Sequence, residues 1–178
     1  MRSRKIISIV AFVAAFGFSA AFAGLFATEK VAYSYSSTSY CKHQQQIAVA
    51  ASIENLIAAD AANGTILDRK IYAINETDSL SSESVAFADY ARAVEGYVDD
   101  SSSLSQDNLP SDFKCAWREH LKAWRNSSTF LNVTADISRN DSLSAEEFEE
   151  ANAFHSREIN RTFGKVIEIG NRYGADVH

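Results

Sequence analysis

Along most of the chain, apolar residues recur at spacings of three and four, the period of an α-helix with one buried face. Residues 39–62 carry Ile47, Ala50, Ala51, Ile53 and Ile57 in this rhythm, and Asn63-Gly64 supplies residues of the kind that end helices. Thr65 with Asp68 can cap a second, short helix bearing Ile66, Leu67, Ile71 and Ile74. Ser81 opens a third, with Val85, Phe87, Tyr90, Val94 and Tyr97 at helical spacing. Residues 99–109 show no periodicity and read as the longest loop. Pro110 then stands near the start of a fourth helix, where its missing N–H does no harm. That helix has an aromatic face of Phe113, Trp117, Leu121 and Trp124, which reads as core. Its basic face of Lys114, Arg118, Lys122 and Arg125 reads as solvated.

A last helix runs from residue 145 to about 173, where Gly174 ends it. Its buried side reads as Phe148, Ala151, His155, Ile159, Phe163, Val166 and Ile169. At 1.5 Å per residue it spans about 43 Å. Its interior glycines, Gly164 and Gly170, mark close helix contacts or a bend. Long helices with short connections predict an all-α fold, an antiparallel bundle of four to five helices in one domain, residues 38–178.

The first 27 residues differ from the rest. Arg2, Arg4 and Lys5 precede an uncharged run over residues 6–28. The basic flank predicts that the C-terminal part leaves the cytoplasm. Ala21-Phe22-Ala23 before Gly24 has the pattern of a signal-peptidase site, and the run is also long enough to span a bilayer as an uncleaved anchor. Gly17 and Ala21 have small-xxx-small spacing, which suits a helix-pairing face or a signal peptide alike. Residues 1–27 therefore read as a signal peptide or N-terminal membrane anchor, residues 28–37 as a juxtamembrane stretch, and the domain as extracytoplasmic, periplasmic or secreted.

Charge and composition narrow the partners. The chain has 178 residues and a net charge of -6, and its one proline is Pro110. With the basic N-terminus set aside, 14 basic side chains face 23 acidic ones. An acidic domain repels nucleic acid and anionic lipid, so the membrane enters only through residues 6–27, if these stay uncleaved. Outside the cytoplasm, the two cysteines, Cys41 and Cys115, are expected to form a disulfide. Asn63, Asn75, Asn126, Asn132, Asn140 and Asn160 head Asn-x-Ser/Thr sequons, as a glycosylated secreted chain or a merely polar surface would supply.

One stretch has ligand spacing. Over residues 136–147 the side chains of Asp136, Ser138 and Asn140, the Ser142 carbonyl and Glu147 stand at the first, third, fifth, seventh and twelfth positions. This stretch resembles the loop of an EF-hand, and the resemblance implies calcium (Ca²⁺) held by these oxygens, the only cofactor the sequence suggests. Asp141 occupies the position where the family has glycine, and no second loop accompanies the first. The same residues also spell a helix start, with Ser144 and Glu147 as a capping box flanked by Leu143 and Phe148 as a hydrophobic staple.

Catalytic motifs are missing. The chain has no G-x-S-x-G, no H-E-x-x-H and no phosphate loop. It reads as a helical bundle acting by binding or protein–protein interaction, with a protein partner. One alternative is a weak calcium-binding structural module. The other is an enzyme whose site gathers His43, His120 or His155 with carboxylates from distant parts of the chain.

Overall fold

The computed structural model describes residues 37–77, 83–140 and 144–177, and the N-terminal signal or anchor segment lies outside them. Among the described residues there are four helices and no strand: α1 (Ser37–Thr77), α2 (Glu83–Ser102), α3 (Ser111–Asn140) and α4 (Ala145–Arg172). None of these helices is long and apolar enough to cross a membrane.

One expected break is absent and another is shortened. Asn63-Gly64 does not end a helix, and α1 continues through it to Thr77. The buried positions explain why. Ile53, Leu56, Asp60, Gly64, Leu67 and Ile71 lie at spacings of three and four, so one inward stripe runs unbroken past the glycine. Interior glycine costs a helix only about 1 kcal/mol, less than the burial of Leu67 and Ile71 beyond it returns. Likewise α2 continues to Ser102, because Ser101 is fully buried against α1, and the loop shrinks to residues 103–110. Pro110 ends that loop, and its carbonyl takes the first helical hydrogen bond of α3 from Lys114 N–H at 2.9 Å.

Each helix packs on the next, and α4 with its tail returns to α1. The core forms two clusters. At one end Ile53 and Leu56 of α1 meet Phe113, Trp117 and Leu121 of α3 and Val166 and Ile169 of α4. At the other, Leu67 and Ile71 meet Phe87, Tyr90, Val94 and Tyr97 of α2, Trp124 and Leu131 of α3, and Phe148 and Ile159 of α4. This places α1 and α3 in one direction, with α2 and α4 opposed, as short connections dictate. The expected aromatic face of α3 is buried throughout, whereas Ile47 and Val85 are half exposed.

The C-terminal end is tied down. Gly174 takes a left-handed φ of 81°. Ala175 N–H donates to Gly170 O and Gly174 N–H to Asn171 O, a Schellman cap. The tail then turns onto α1, where Asp176 N–H donates to Glu54 Oε1 at 2.8 Å. Val177 lies over Gly170, and a Cβ at position 170 would stand 3.0 Å from the Val177 Cγ2 and 3.3 Å from the Ile53 Cγ2. The absence of that Cβ lets α1, α4 and the tail meet.

Candidate functional site

Between the two apolar clusters the bundle carries a belt of buried polar groups. On the α1–α2 side, Asp60 Oδ1 accepts from the Tyr97 hydroxyl at 2.9 Å and from Ser101 Oγ at 2.6 Å. Asn63 Nδ2 donates to Ser101 Oγ at 3.2 Å. Asp60, Tyr97 and Ser101 are all buried. Desolvation pushes the Asp60 carboxyl above the usual carboxylate range, against the pull of its two hydroxyl donors. Burial, reinforced by the Asp60 charge, raises the Tyr97 phenol out of any physiological titration.

On the α3–α4 side the central group is His120, which is 3% exposed. Its Nδ1 lies 3.1 Å from Thr162 Oγ1, and Trp124 Nε1–H donates to its Nε2 at 3.3 Å. Trp117 and Phe163 flank the ring at centroid distances of 5.8 and 5.1 Å. The indole of Trp124 also meets the ring of Tyr97 edge-on at 5.0 Å, which joins the two halves of the belt. Desolvation lowers His120 to about 4, so the imidazole is neutral at physiological pH.

The belt was only partly visible in the sequence. His120 lies three residues after Trp117 and four before Trp124, inside the aromatic face, a spacing that could have marked it as buried. Asp60 gives no signal of its own. Only the continuation of the apolar stripe past Gly64 would have found it.

Two of the expected calcium ligands lie on a helix. Asp136 and Ser138 lie within the last turns of α3, which extends to Asn140. Residues two apart on a helix project about 200° apart, so Asp136 and Ser138 do not converge on one ion. Ser142 and the Asn140 side chain lie outside the described residues. Glu147 is engaged as a helix cap: its Oε2 accepts from Ser144 N–H and Ser144 Oγ, while Glu147 N–H donates to Ser144 Oγ. These bonds hold its carboxyl below the usual range. Among the described residues no group of three or more His, Cys, Asp or Glu side chains is placed to hold a metal.

The other expected residues are scattered. Cys115 is an exposed free thiol, so the disulfide with Cys41 is absent from the structure, and the Cys41 side chain lies outside the described residues. His43 is exposed on α1, far along that helix from Asp60. His155 is half-buried on α4, stacked on Phe130 at 4.9 Å and touched by the Phe154 ring at 5.5 Å. The three histidines therefore share no pocket. Three sequon asparagines serve tertiary contacts instead: Asn63 as above, Asn75 as acceptor from the Tyr90 hydroxyl, and Asn132 as donor to Glu95.

No protein-family model matches the chain, and no curated protein or solved structure matches it.

Proposed function

We propose that this chain is a binding module that acts by contact with a protein partner and not by chemistry. The observation that carries the reading is the outward face of α1. Ile47, Ala51, Asn55, Ala58, Ala62 and Ile66 recur at spacings of three and four and are all exposed. They lie on the side of α1 opposite the buried stripe of Ile53, Leu56, Asp60, Leu67 and Ile71. The stripe is about 29 Å long and carries no charge, on a chain in which 22% of residues are charged. A depletion of charge over a largely apolar strip, here interrupted only by the Asn55 amide, is the mark of an interface core. Small residues in the middle with isoleucine at both ends make a flat track that suits the apolar face of a partner helix.

The belt supports the same reading from the other side. Its acid–base groups, Asp60, Tyr97 and His120, are buried in the bundle and hydrogen-bonded there, Asp60 to Tyr97 and Ser101 and His120 to Thr162 and Trp124. The basic N-terminal flank and the apolar run that follows support display of this face outside the cytoplasm.

A photoreactive amino acid at Ala58, with the same residue at exposed Glu150 of α4 as control, tests the proposal in the native host. Covalent adducts to a discrete protein at position 58 and not at 150 are expected. Equal labelling at both positions, or turnover of a substrate by the purified chain that a point mutation in the belt abolishes, overturns it.

A further inference from the structure

The strongest unassigned feature is the hydrogen bonding of His120, because its geometry allows only one protonation state. Thr162 Oγ1 lies 2.8 Å from Glu158 O and 2.9 Å from Ile159 O, and carbonyls cannot donate. The threonine hydrogen therefore goes to its own helix, and the lone pair it leaves exposed needs a hydrogen from His120 Nδ1. At the opposite edge of the ring Nε2 must be bare, because the group facing it at 3.3 Å is the Trp124 indole N–H, which can only donate. The neutral Nδ1–H tautomer satisfies every partner. A proton added at Nε2 sets N–H against N–H at a ring that is almost wholly buried.

We propose that His120 is an acid-sensitive latch on the seam between α3 and α4: protonation at Nε2 expels Trp124 from its bond and parts the two helices at the waist of the bundle. The surroundings offer the charged ring little compensation: the Ile159 carbonyl of α4 pulls the imidazole toward its charged form, but desolvation outweighs it. α4 presents Thr162 and Phe163 to it, and α3 presents Trp117 and Trp124. Beyond Trp124 stands the Tyr97 phenol of α2, bound to Asp60 of α1, so that carboxylate lies across two side chains. Along α4, Glu158 and Arg161 pair with each other at the surface. Glu119, the residue before His120, is exposed. Because Trp124 packs on Tyr97, its displacement also disturbs the α1–α2 half of the belt.

The direction follows from linkage. The folded state holds His120 down at about 4, below its ordinary 6.5, so the unfolded or opened chain binds the proton first. The stability this group contributes is present above pH 6.5 and is lost as the pH falls through about 4. Asp60 acts oppositely, since its folded affinity for protons is raised. It gives stability back in acid but does not bear on the α3–α4 seam. His155, lowered by its half-buried stacking on Phe130, acts with the same sign as His120 farther along that seam.

The test is the melting temperature of the full chain between pH 7 and 4, for wild type and His120→Gln, whose amide can donate to Thr162 and accept from Trp124 without titrating. The wild-type melting temperature is expected to fall through this range and the glutamine variant to lose most of that fall. Equal slopes overturn the latch. Histidine nitrogen NMR of the wild-type chain decides the matter even if the variant does not fold. Expected are an Nδ1–H tautomer at neutral pH and proton uptake coincident with loss of amide protection across α3 and α4. An Nε2–H tautomer, or charging near pH 6.5 with protection intact, overturns the proposal.

Discussion

Removing the Asp60 carboxylate leaves the Tyr97 and Ser101 hydroxyls buried with no acceptor in their place. Asp60→Ala is therefore expected to cost about 3 kcal/mol in urea denaturation, the penalty for stranding buried partners of a charged group. Asp60→Asn keeps one acceptor oxygen, and its loss is expected near 1 kcal/mol. The gap between wild type and Asp60→Asn also depends on pH. Burial raises the carboxyl, so its protonated form contributes stability that is fully present below the ordinary 3.8 and lost as pH rises through the higher folded value. Asparagine does not titrate, so the variant is expected to fall further behind wild type in acid. At this scale the sequence was least legible. A lone aspartate or histidine between charged and apolar neighbours carries little mark of burial until the partner helix supplies its hydrogen bonds, and those partners stand 37 to 42 residues away.

Among the elements, two glycines of α4 make a paired test. Gly170 faces Val177 and Ile53 at distances tighter than a Cβ ordinarily keeps, so Gly170→Ala is expected to shift the tail and destabilise by about 1–3 kcal/mol. Gly164 is exposed with nothing within 4 Å of the added atom. Gly164→Ala is expected to stabilise by about 0.5–1 kcal/mol, through helix propensity alone. Chemical denaturation of the two variants should move their midpoints in opposite directions. The start of α4 offers a second measurement. Ser144→Ala removes one half of the capping box and is expected to lower stability by about 1 kcal/mol, equally in chelator and in millimolar calcium. Calcium-dependent melting of the wild type would restore the loop reading. The box was legible because Ser144, Glu147, Leu143 and Phe148 are local in sequence. The continuity of α1 was not, since Asn63-Gly64 obeys the local rule for a stop and only the buried stripe on either side of it overrules that rule.

For the whole molecule, the all-helical architecture and the antiparallel order followed from periodicity, and the four helices among the described residues are the lower of the expected four to five, because burial fused two segments that local signals divide. The two clusters and the belt between them also predict how the fold opens. Residues 43–48 of α1 are exposed in every position, while residues 53–71 carry the buried stripe. Amide hydrogen exchange is expected to be fast over 43–48 and to approach the global unfolding limit over 56–71. Uniform protection along α1 would show that its first turns are covered by something else. Those turns have a further consequence. From His43 to Ala48 the exposed helix runs ahead of Val49, which packs on the core, for about 9 Å at 1.5 Å per residue. Because α1 is unbroken, this overhang is a stiff spar and not a tether. A pull or twist applied at the start of α1 reaches Asp60 in the belt with little slack to absorb it, so the first turns of α1 and the register of the helices are mechanically one system.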